Sequence, residues 1–284
     1  KIYGYDGWTS PPSTQGYLTL STLKGFEMIN DKDDYLHTLI ETYRIFASDR
    51  DNITFDYQGN DQNFLGTDSE YIRNKVSSFD KNAAGKYNFP NPHGGGTAYM
   101  NAVDENGLGI SLIQSNFYGI GSRIGVGKYG FFLHNRGCGF NLIKGHPNNL
   151  GPSKKPLHTL SPTIWSKDGS LDFITGTRGG RYQPQLLAQT ILPYILGESS
   201  FEEIMKNPRW TIEYFGSKTS STINFEFIKE PEISSLEDKG HKILVEDKLI
   251  GGYGPISTIY KNSNEKFVGV PDIRVGTEKA FNNS

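Results

Sequence analysis

Apolar positions along the chain follow one period before residue 97 and another after it. Across 34–49, Tyr35, Leu36, Leu39, Ile40, Tyr43, Ile45 and Phe46 recur at the spacing of a helix face. Asp33 or Asp34 is in position to cap that helix. Residues 1–25, rich in Gly, Ser, Thr and Pro, read as an extended loop entering a helix that begins near Ser21. The polar stretch 52–66 reads as a long loop and 70–79 as a short helix. Residues 81–96 carry Pro90, Pro92 and the run Gly94-Gly95-Gly96 without periodicity, the pattern of a flexible exposed linker.

After residue 97 the pattern shortens to strands. Segments 98–103 and 108–114 flank Asn106-Gly107, a strong hairpin turn signal. A short strand is expected at 130–133. A second hairpin is expected from 163–165 and 171–175 around Asp168-Gly169. An amphipathic helix follows at 183–196, with Pro184 in its first turn. A short helix is expected at 201–205, then strands at 222–228, 242–245 and 256–260. Strand pairs with helices outside them predict stacked sheets covered by helices.

Composition narrows the function classes. The chain has 284 residues, enough for a substantial core. A net charge of -2 with scattered Lys and Arg gives no electrostatic footprint for nucleic acid. No apolar run has the length of a membrane span. One cysteine, Cys138, excludes an intrachain disulfide and a cysteine-based zinc site, and favours a reducing, cytoplasmic location over a periplasmic or secreted one. No histidine pair has the helical spacing of a metal site, so neither a metal nor another cofactor is expected. The chain begins at Lys1, so a removed segment or a fragment is expected.

The candidate chemistry sits where the period changes. Thr97 follows three glycines and opens a strand. A hydroxyl is a weak nucleophile, and one way to activate it is a chain terminus, where its own α-amine takes the proton. That amine titrates near ~8, suited to acid and base work. Freeing it requires cleavage before Thr97, and glycines tolerate the backbone conformation an N-to-O acyl shift needs.

Ordered motifs from end to end carry a family resemblance. These are Ala47-Ser48-Asp49-Arg50, the strand opening at Thr97, Gln114-Ser115-Asn116, Leu133-His134-Asn135-Arg136-Gly137, Lys155-Pro156-Leu157-His158-Thr159, Gly176-Thr177-Arg178-Gly179-Gly180, and Gly269-Val270-Pro271-Asp272-Ile273-Arg274. The chain resembles the γ-glutamyltransferases, or γ-glutamyltranspeptidases. It is similar to the end of their large subunit plus the whole small subunit.

The resemblance implies an α/β (α+β) fold, a four-layer αββα sandwich of the N-terminal-nucleophile hydrolase type. It implies autoproteolysis into 1–96, the end of the large-subunit region, and 97–284, the small-subunit catalytic region. The implied activity is acyl transfer or hydrolysis of γ-glutamyl amides of the glutathione type, with Thr97 as nucleophile. Gly179 and Gly180 match the glycine pair whose amides hold the oxyanion. Ser115 or Gln114 matches the position whose side chain contacts the nucleophile's amine. Asn116 matches a substrate-binding asparagine, and Asn135 lies in the next motif. His158 and Thr159 match two serines that hold the substrate carboxylate.

Two departures bear on the acyl group. Arg136 and Gly139 stand where the family carries Gln and an Asp that pairs with the γ-glutamyl ammonium. Gly139 has no such group, and Arg136 offers a fork for a carboxylate, which makes an acylase for glutaryl-like or peptide-linked acyl groups the alternative. The N-terminal half of the large subunit, with its carboxylate-binding arginine, has no counterpart in the sequence. Its supply by the same precursor or another chain, or a non-catalytic subunit, follow as the alternatives. Homo-oligomerisation is left open.

Overall fold

The computed structural model describes residues 1–87, 96–214, 221–276 and 279–282. The centre is an antiparallel five-stranded sheet in the order β1-β6-β7-β11-β12. Its strands are β1 (Tyr5–Thr9), β6 (Thr163–Lys167), β7 (Ser170–Thr177), β11 (Ile256–Lys261) and β12 (Phe267–Val270). On one face lie α1 (Tyr17–Ile29), α2 (Tyr35–Ala47) and α5 (Gln183–Ile195). On the other packs the hairpin of β2 (Gly96–Val103) and β3 (Gly109–Phe117), over β7 and β11. Helix layer, sheet and hairpin are the successive layers of the expected αββα sandwich.

The period of two explains why β7 is buried on both faces. Phe173 faces the helices, stacked on Trp165 at 5.4 Å. Ile174 and Gly176 face the hairpin, Ile174 beneath Gly109 and Gly176 beneath the Tyr99 ring. A side chain at 176 would collide with that ring, so the glycine sets how closely the two layers approach.

The remaining elements extend the core and add a second, smaller cluster in which Ile72 of the fourth helix packs with Tyr17, Leu18 and Phe46. They are α3 (Arg50–Ile53), α4 (Ser69–Val76), the two-residue ladder of β4 (Gly125–Val126) with β5 (Phe131–Phe132), α6 (Phe201–Ile204), β8 (Trp210–Tyr214), β9 (Ser221–Phe225), α7 (Glu230–Asp238) and β10 (Ile243–Val245). The second sheet runs β10-β9-β8, and its Trp210, Ile212, Ile223 and Phe225 join the same hydrophobic cluster as Leu23, Leu39 and Ile191. Residues on both sides of position 96 therefore build one core, with β1 in the same sheet as β6.

Several expectations need correction. The 1–25 stretch holds a strand, β1, and α1 begins at Tyr17 rather than near Ser21. Asp34 occupies the N-cap of α2, but its side chain makes no capping bond; it pairs with Lys239 at 2.7 Å instead. Strand β8 and helix α7 lie where the pattern predicted neither. Helix α7 was invisible because only Leu236 of its residues is buried. In the predicted linker, 81–87 are tied down: Ala84 N–H donates to Lys239 O, and Gly85 N–H donates to Glu41 Oε2. Residues 88–95, which include most of the glycine run, lie outside the described residues.

Candidate active site

Strand β2 alternates between half-buried and exposed positions, and Thr97, Tyr99, Asn101 and Val103 take the inward face. Asn101 Nδ2 donates to the Ser257 carbonyl at 3.0 Å and Tyr99 covers Gly176. The strand thus advances along β7 as its own numbers fall, which brings Thr97 to the far end of β7, where the 178–180 turn begins.

Thr97 pairs with Ser115 across the hairpin. Thr97 Oγ1 donates to Ser115 Oγ at 3.0 Å, and Ser115 Oγ donates to the Gly96 carbonyl at 3.0 Å. The Phe117 N–H donates back to Ser115 Oγ at 3.0 Å. One hydroxyl therefore touches both the candidate nucleophile and the carbonyl of the peptide bond before it. The register shifts between Gly96 and Thr97, and a Cβ on Gly96 would sit 2.5 Å from the Gly119 carbonyl, so only glycine fits there.

Gln114 and Ser115 part company. Gln114 pairs with Ala98 and is exposed on the outer face with Leu112, while Ser115 faces inward. Asn116 is half-buried at the end of β3, and its carbonyl accepts from Asn135 N–H at 3.2 Å. The Asn135 side chain is committed to the 118–121 loop: its Oδ1 accepts from Tyr118 N–H at 3.0 Å and its Nδ2 donates to Gly121 O at 3.1 Å. It shapes the loop beside the site.

The turn after β7 carries the glycine pair. Gly179 and Gly180 have φ of 117° and 58°, in the region that glycine enters without strain. They lead through a short 3₁₀ turn, Gly180–Tyr182, into α5. Neither amide has a hydrogen-bond partner among the described residues, and both precede a helix N-terminus, which favours negative charge.

Gln15 fastens this turn and was missed by sequence reasoning. It is fully buried, and its Nε2 donates to Gly180 O and Thr159 O, each at 2.8 Å. Its Oε1 accepts from Arg50 Nη1 at 2.8 Å. Arg50 in turn pairs with Asp51 at 2.6 Å, and Arg181 approaches the same carboxylate at 4.0 Å. Burial pushes the Asp51 carboxyl up, but the Arg50 and Arg181 guanidiniums together hold it below the usual range. Nothing in the Gly- and Ser-rich N-terminal stretch marks Gln15, because its partners lie 144 and 165 residues away.

Arg136 and His158 line one open cavity of about 650 Å³, together with Ser13, Ile113, Phe140 and Lys155. Arg136 is 4% exposed, and its guanidinium lies 4.3 Å from the Phe117 ring centroid. Nη1 is 3.5 Å from Thr159 Oγ1. Burial pushes the guanidinium down to about 10, which leaves it charged at neutral pH. His158 is half-buried; burial first, then Arg136 and His134, pushes its imidazole down to about 4, so it is neutral at neutral pH. Cys138 is exposed and does not line this cavity.

The comparisons follow from this geometry. A family model described as Gamma-glutamyltranspeptidase matches residues 1–281. The glutathione hydrolase-like YwrD proenzyme of Bacillus subtilis (strain 168) is 30% identical over 271 residues, 89% of this chain and 49% of that protein. The oxamate amidohydrolase proenzyme of Klebsiella pneumoniae is 30% identical over 284 residues, 94% of this chain and 52% of that protein. The crystal structure of cephalosporin acylase from Bacillus halodurans superposes with a TM-score of 0.84 at 24% identity, covering all of this chain and 52% of that one. The chain thus spans about half the length of the curated relatives it matches.

Proposed function

The chain belongs to the gamma-glutamyltranspeptidase family, and from that premise we propose that it carries the nucleophile of an amide-cleaving acyl-transfer enzyme, freed by cleavage before Thr97. The observation that carries the reading is the Ser115 hydroxyl, bonded at once to Thr97 Oγ1 and to the Gly96 carbonyl.

In the processing step Thr97 Oγ1 attacks the Gly96 carbonyl carbon. Negative charge develops on the Gly96 oxygen, and the Ser115 O–H already points at it. The Oγ1 proton passes by way of the Ser115 hydroxyl, to which Oγ1 donates, to the Thr97 nitrogen, and the C–N bond breaks, leaving an ester between Gly96 and Thr97. Water hydrolyses that ester and frees the Thr97 amine.

In turnover the Thr97 amine takes the Oγ1 proton as the hydroxyl attacks the substrate amide. The Gly179 and Gly180 amides receive the oxyanion. The protonated amine then delivers its proton to the leaving nitrogen, and an acyl-enzyme ester remains for water or an amine acceptor. Gln15 holds the oxyanion turn against the Thr159 backbone, which keeps the donors preorganised. The names of the relatives, a glutathione hydrolase-like proenzyme and an oxamate amidohydrolase proenzyme, support a small amide substrate and a proenzyme that is processed. They also leave the acyl group open between γ-glutamyl and another carboxylate-bearing acyl. A complementary protein region, corresponding to the other half of those relatives, is the partner we assign to the exposed outer face of the β2–β3 hairpin.

Intact mass and N-terminal sequencing of the purified protein test the reading. The expected result is a piece beginning at Thr97, and with T97A a single uncut chain without amide hydrolysis. An uncut wild-type chain that hydrolyses amides, or a T97A protein that still does so, would sink it.

A further inference from the structure

On the helix side of the molecule, a cluster of buried ionisable groups takes no part in the chemistry at Thr97. His37, Glu41 and Arg44 stand at helical spacing on one face of α2. His241, which follows α7, packs against them, and all four side chains are buried. Such groups are expensive to bury, and each is kept here by a specific partner.

Several of those partners belong to the stretch 80–87, where the predicted linker begins. His37 Nε2 lies 2.9 Å from the Asp80 carbonyl. Glu41 Oε2 accepts from Gly85 N–H at 2.8 Å, and Arg44 Nη2 donates to Gly85 O at 3.0 Å. The Arg44 guanidinium lies 5.2 Å from the Tyr87 ring centroid, and the Tyr87 hydroxyl reaches Glu41 Oε2 at 3.4 Å. Ala84 N–H donates to Lys239 O at 2.7 Å, two residues before His241.

The Asp80 carbonyl fixes the direction of the whole chain of bonds. A carbonyl only accepts, so His37 Nε2 carries the proton that reaches it. In the neutral ring Nδ1 is then an acceptor, and His241 Nε2, 2.9 Å away, is the donor. That leaves His241 Nδ1 as an acceptor facing Arg44 Nη1 at 3.4 Å. A proton added to either ring turns one of these acceptors into a donor. On His241 Nδ1 it would meet the Arg44 guanidinium, and on His37 Nδ1 it would meet the His241 Nε2 proton.

The charged groups facing the pair do not relieve this. Arg44 and Glu41 come from α2, and Lys239 from the turn after α7, with Asp34 paired to Lys239 at 2.7 Å. Glu41 Oε1 is 3.9 Å from His241 Nε2, beyond hydrogen-bond reach, and is taken by Arg44 at 2.7 Å. Glu41 Oε2 is taken by Gly85. Burial first, then Arg44, His37 and Lys239, pushes the His241 imidazole down to about 3.

We infer that His37 and His241, with Glu41 and Arg44, form an acid-released latch on the stretch 80–87. With both rings neutral, Arg44 and Glu41 are held where they grip Gly85 and Tyr87. When the stretch lifts, the rings meet water and take up a proton, and the protonated pair no longer fits the closed arrangement. Under the Thr97 reading the latch also joins the two pieces, since α2 and 80–87 belong to 1–96 while Lys239 and His241 belong to 97–284. The latch itself rests on the bonds around His37 and holds in a cut or an uncut chain.

Amide hydrogen exchange of the full chain against pH, corrected for the intrinsic rates, reads the latch at Ala84 and Gly85. Their protection is expected to fall with acid, approaching about tenfold for each pH unit below about 6.5. Amides of Leu187 and Ile191 in α5 are expected to keep theirs over the same range. H241N is expected to flatten the dependence at Ala84 and Gly85. Protection that ignores pH, an unchanged slope in H241N, or a parallel loss in α5 would overturn the latch. Imidazole NMR of the wild type serves where H241N does not fold: a His241 ring that titrates as the two amides lose protection upholds the latch, and one that titrates while both stay protected overturns it. The acid response in a chain that is never cut before Thr97 would uphold the latch and count against the Thr97 reading alone.

Discussion

The two faces of the five-stranded sheet are built to different specifications. The helix side is finished: Leu23, Phe26, Leu39, Phe173, Leu187 and Ile191 are fully buried there. The hairpin side is finished only on its inner surface. On the outer surface Met100, Ile110 and Leu112 are 49%, 57% and 48% exposed. Leu142, Ile143 and Leu150, in the loops beyond, are also exposed. Exposed apolar side chains in such a group mark a surface that another element covers. The fully buried side chains lie on the first side, while the proposed nucleophile lies on the second, beside the exposed apolar surface.

The sharpest way to break this contrast is Phe173→Ala. It empties a site packed by Trp165, Tyr194 and Phe201, and about 3–5 kcal/mol of unfolding free energy is expected to be lost in a urea titration. A loss below about 1 kcal/mol would mean that the helix side is not the stability-bearing face.

Gly176→Ala tests the seam between the two faces. Its methyl would strike the Tyr99 ring, so a cost of about 1–3 kcal/mol is expected. Processing at Thr97, read as the fraction of cleaved chain over time, is expected to slow as well, because Tyr99 and Thr97 share a strand face. Unfolding that weakens while processing stays at the wild-type rate would uncouple the seam from the site.

Acid titration probes the helix side from another direction. His241 sits there against His37 at 2.9 Å and near Arg44 at 3.4 Å. Burial first, then Arg44, pushes its imidazole down to about 3 from the ordinary 6.5. The unfolded chain thus binds a proton that the folded one refuses. Stability from this group is fully present above about pH 6.5 and is lost as pH falls toward about 3. The expected slope is at most about 1.4 kcal/mol per pH unit. His241→Asn is expected to flatten the acid limb of a stability-against-pH curve; an unchanged limb would assign the loss to other groups.

The smallest effect is expected on the open face. Ile110→Ser should change the stability of this chain by no more than about 0.5 kcal/mol in the same urea assay. A loss several times larger would mean that Ile110 is already covered.

Which features were legible in the sequence follows from range. Helices α2 and α5 and the hairpins β2–β3 and β6–β7 carry their own period and turn residues, so local reading found them. Strand β1 escaped because Tyr5, Asp6, Gly7, Trp8 and Thr9 do not alternate, and Trp8 is 61% exposed on this edge strand. Thr97, Gly179 and Gly180 stood out as motifs. Gln15 did not, since a buried polar residue announces itself only through partners far along the chain.

What the sequence determined by itself was the strand that opens at Thr97, the turn glycines after β7, and the alternation that puts Gln114 and Ser115 on opposite faces. A period of two separates neighbours but does not say which face is inward. Packing decided that. Gly176 admits the Tyr99 ring, the hairpin settles with Thr97 and Ser115 toward the sheet, and Gln114 is left facing out. The same holds for Arg136. Its charge is written in the sequence, but the absence of an ion-pair partner among the described residues exists only where Phe117 and Thr159 meet around it.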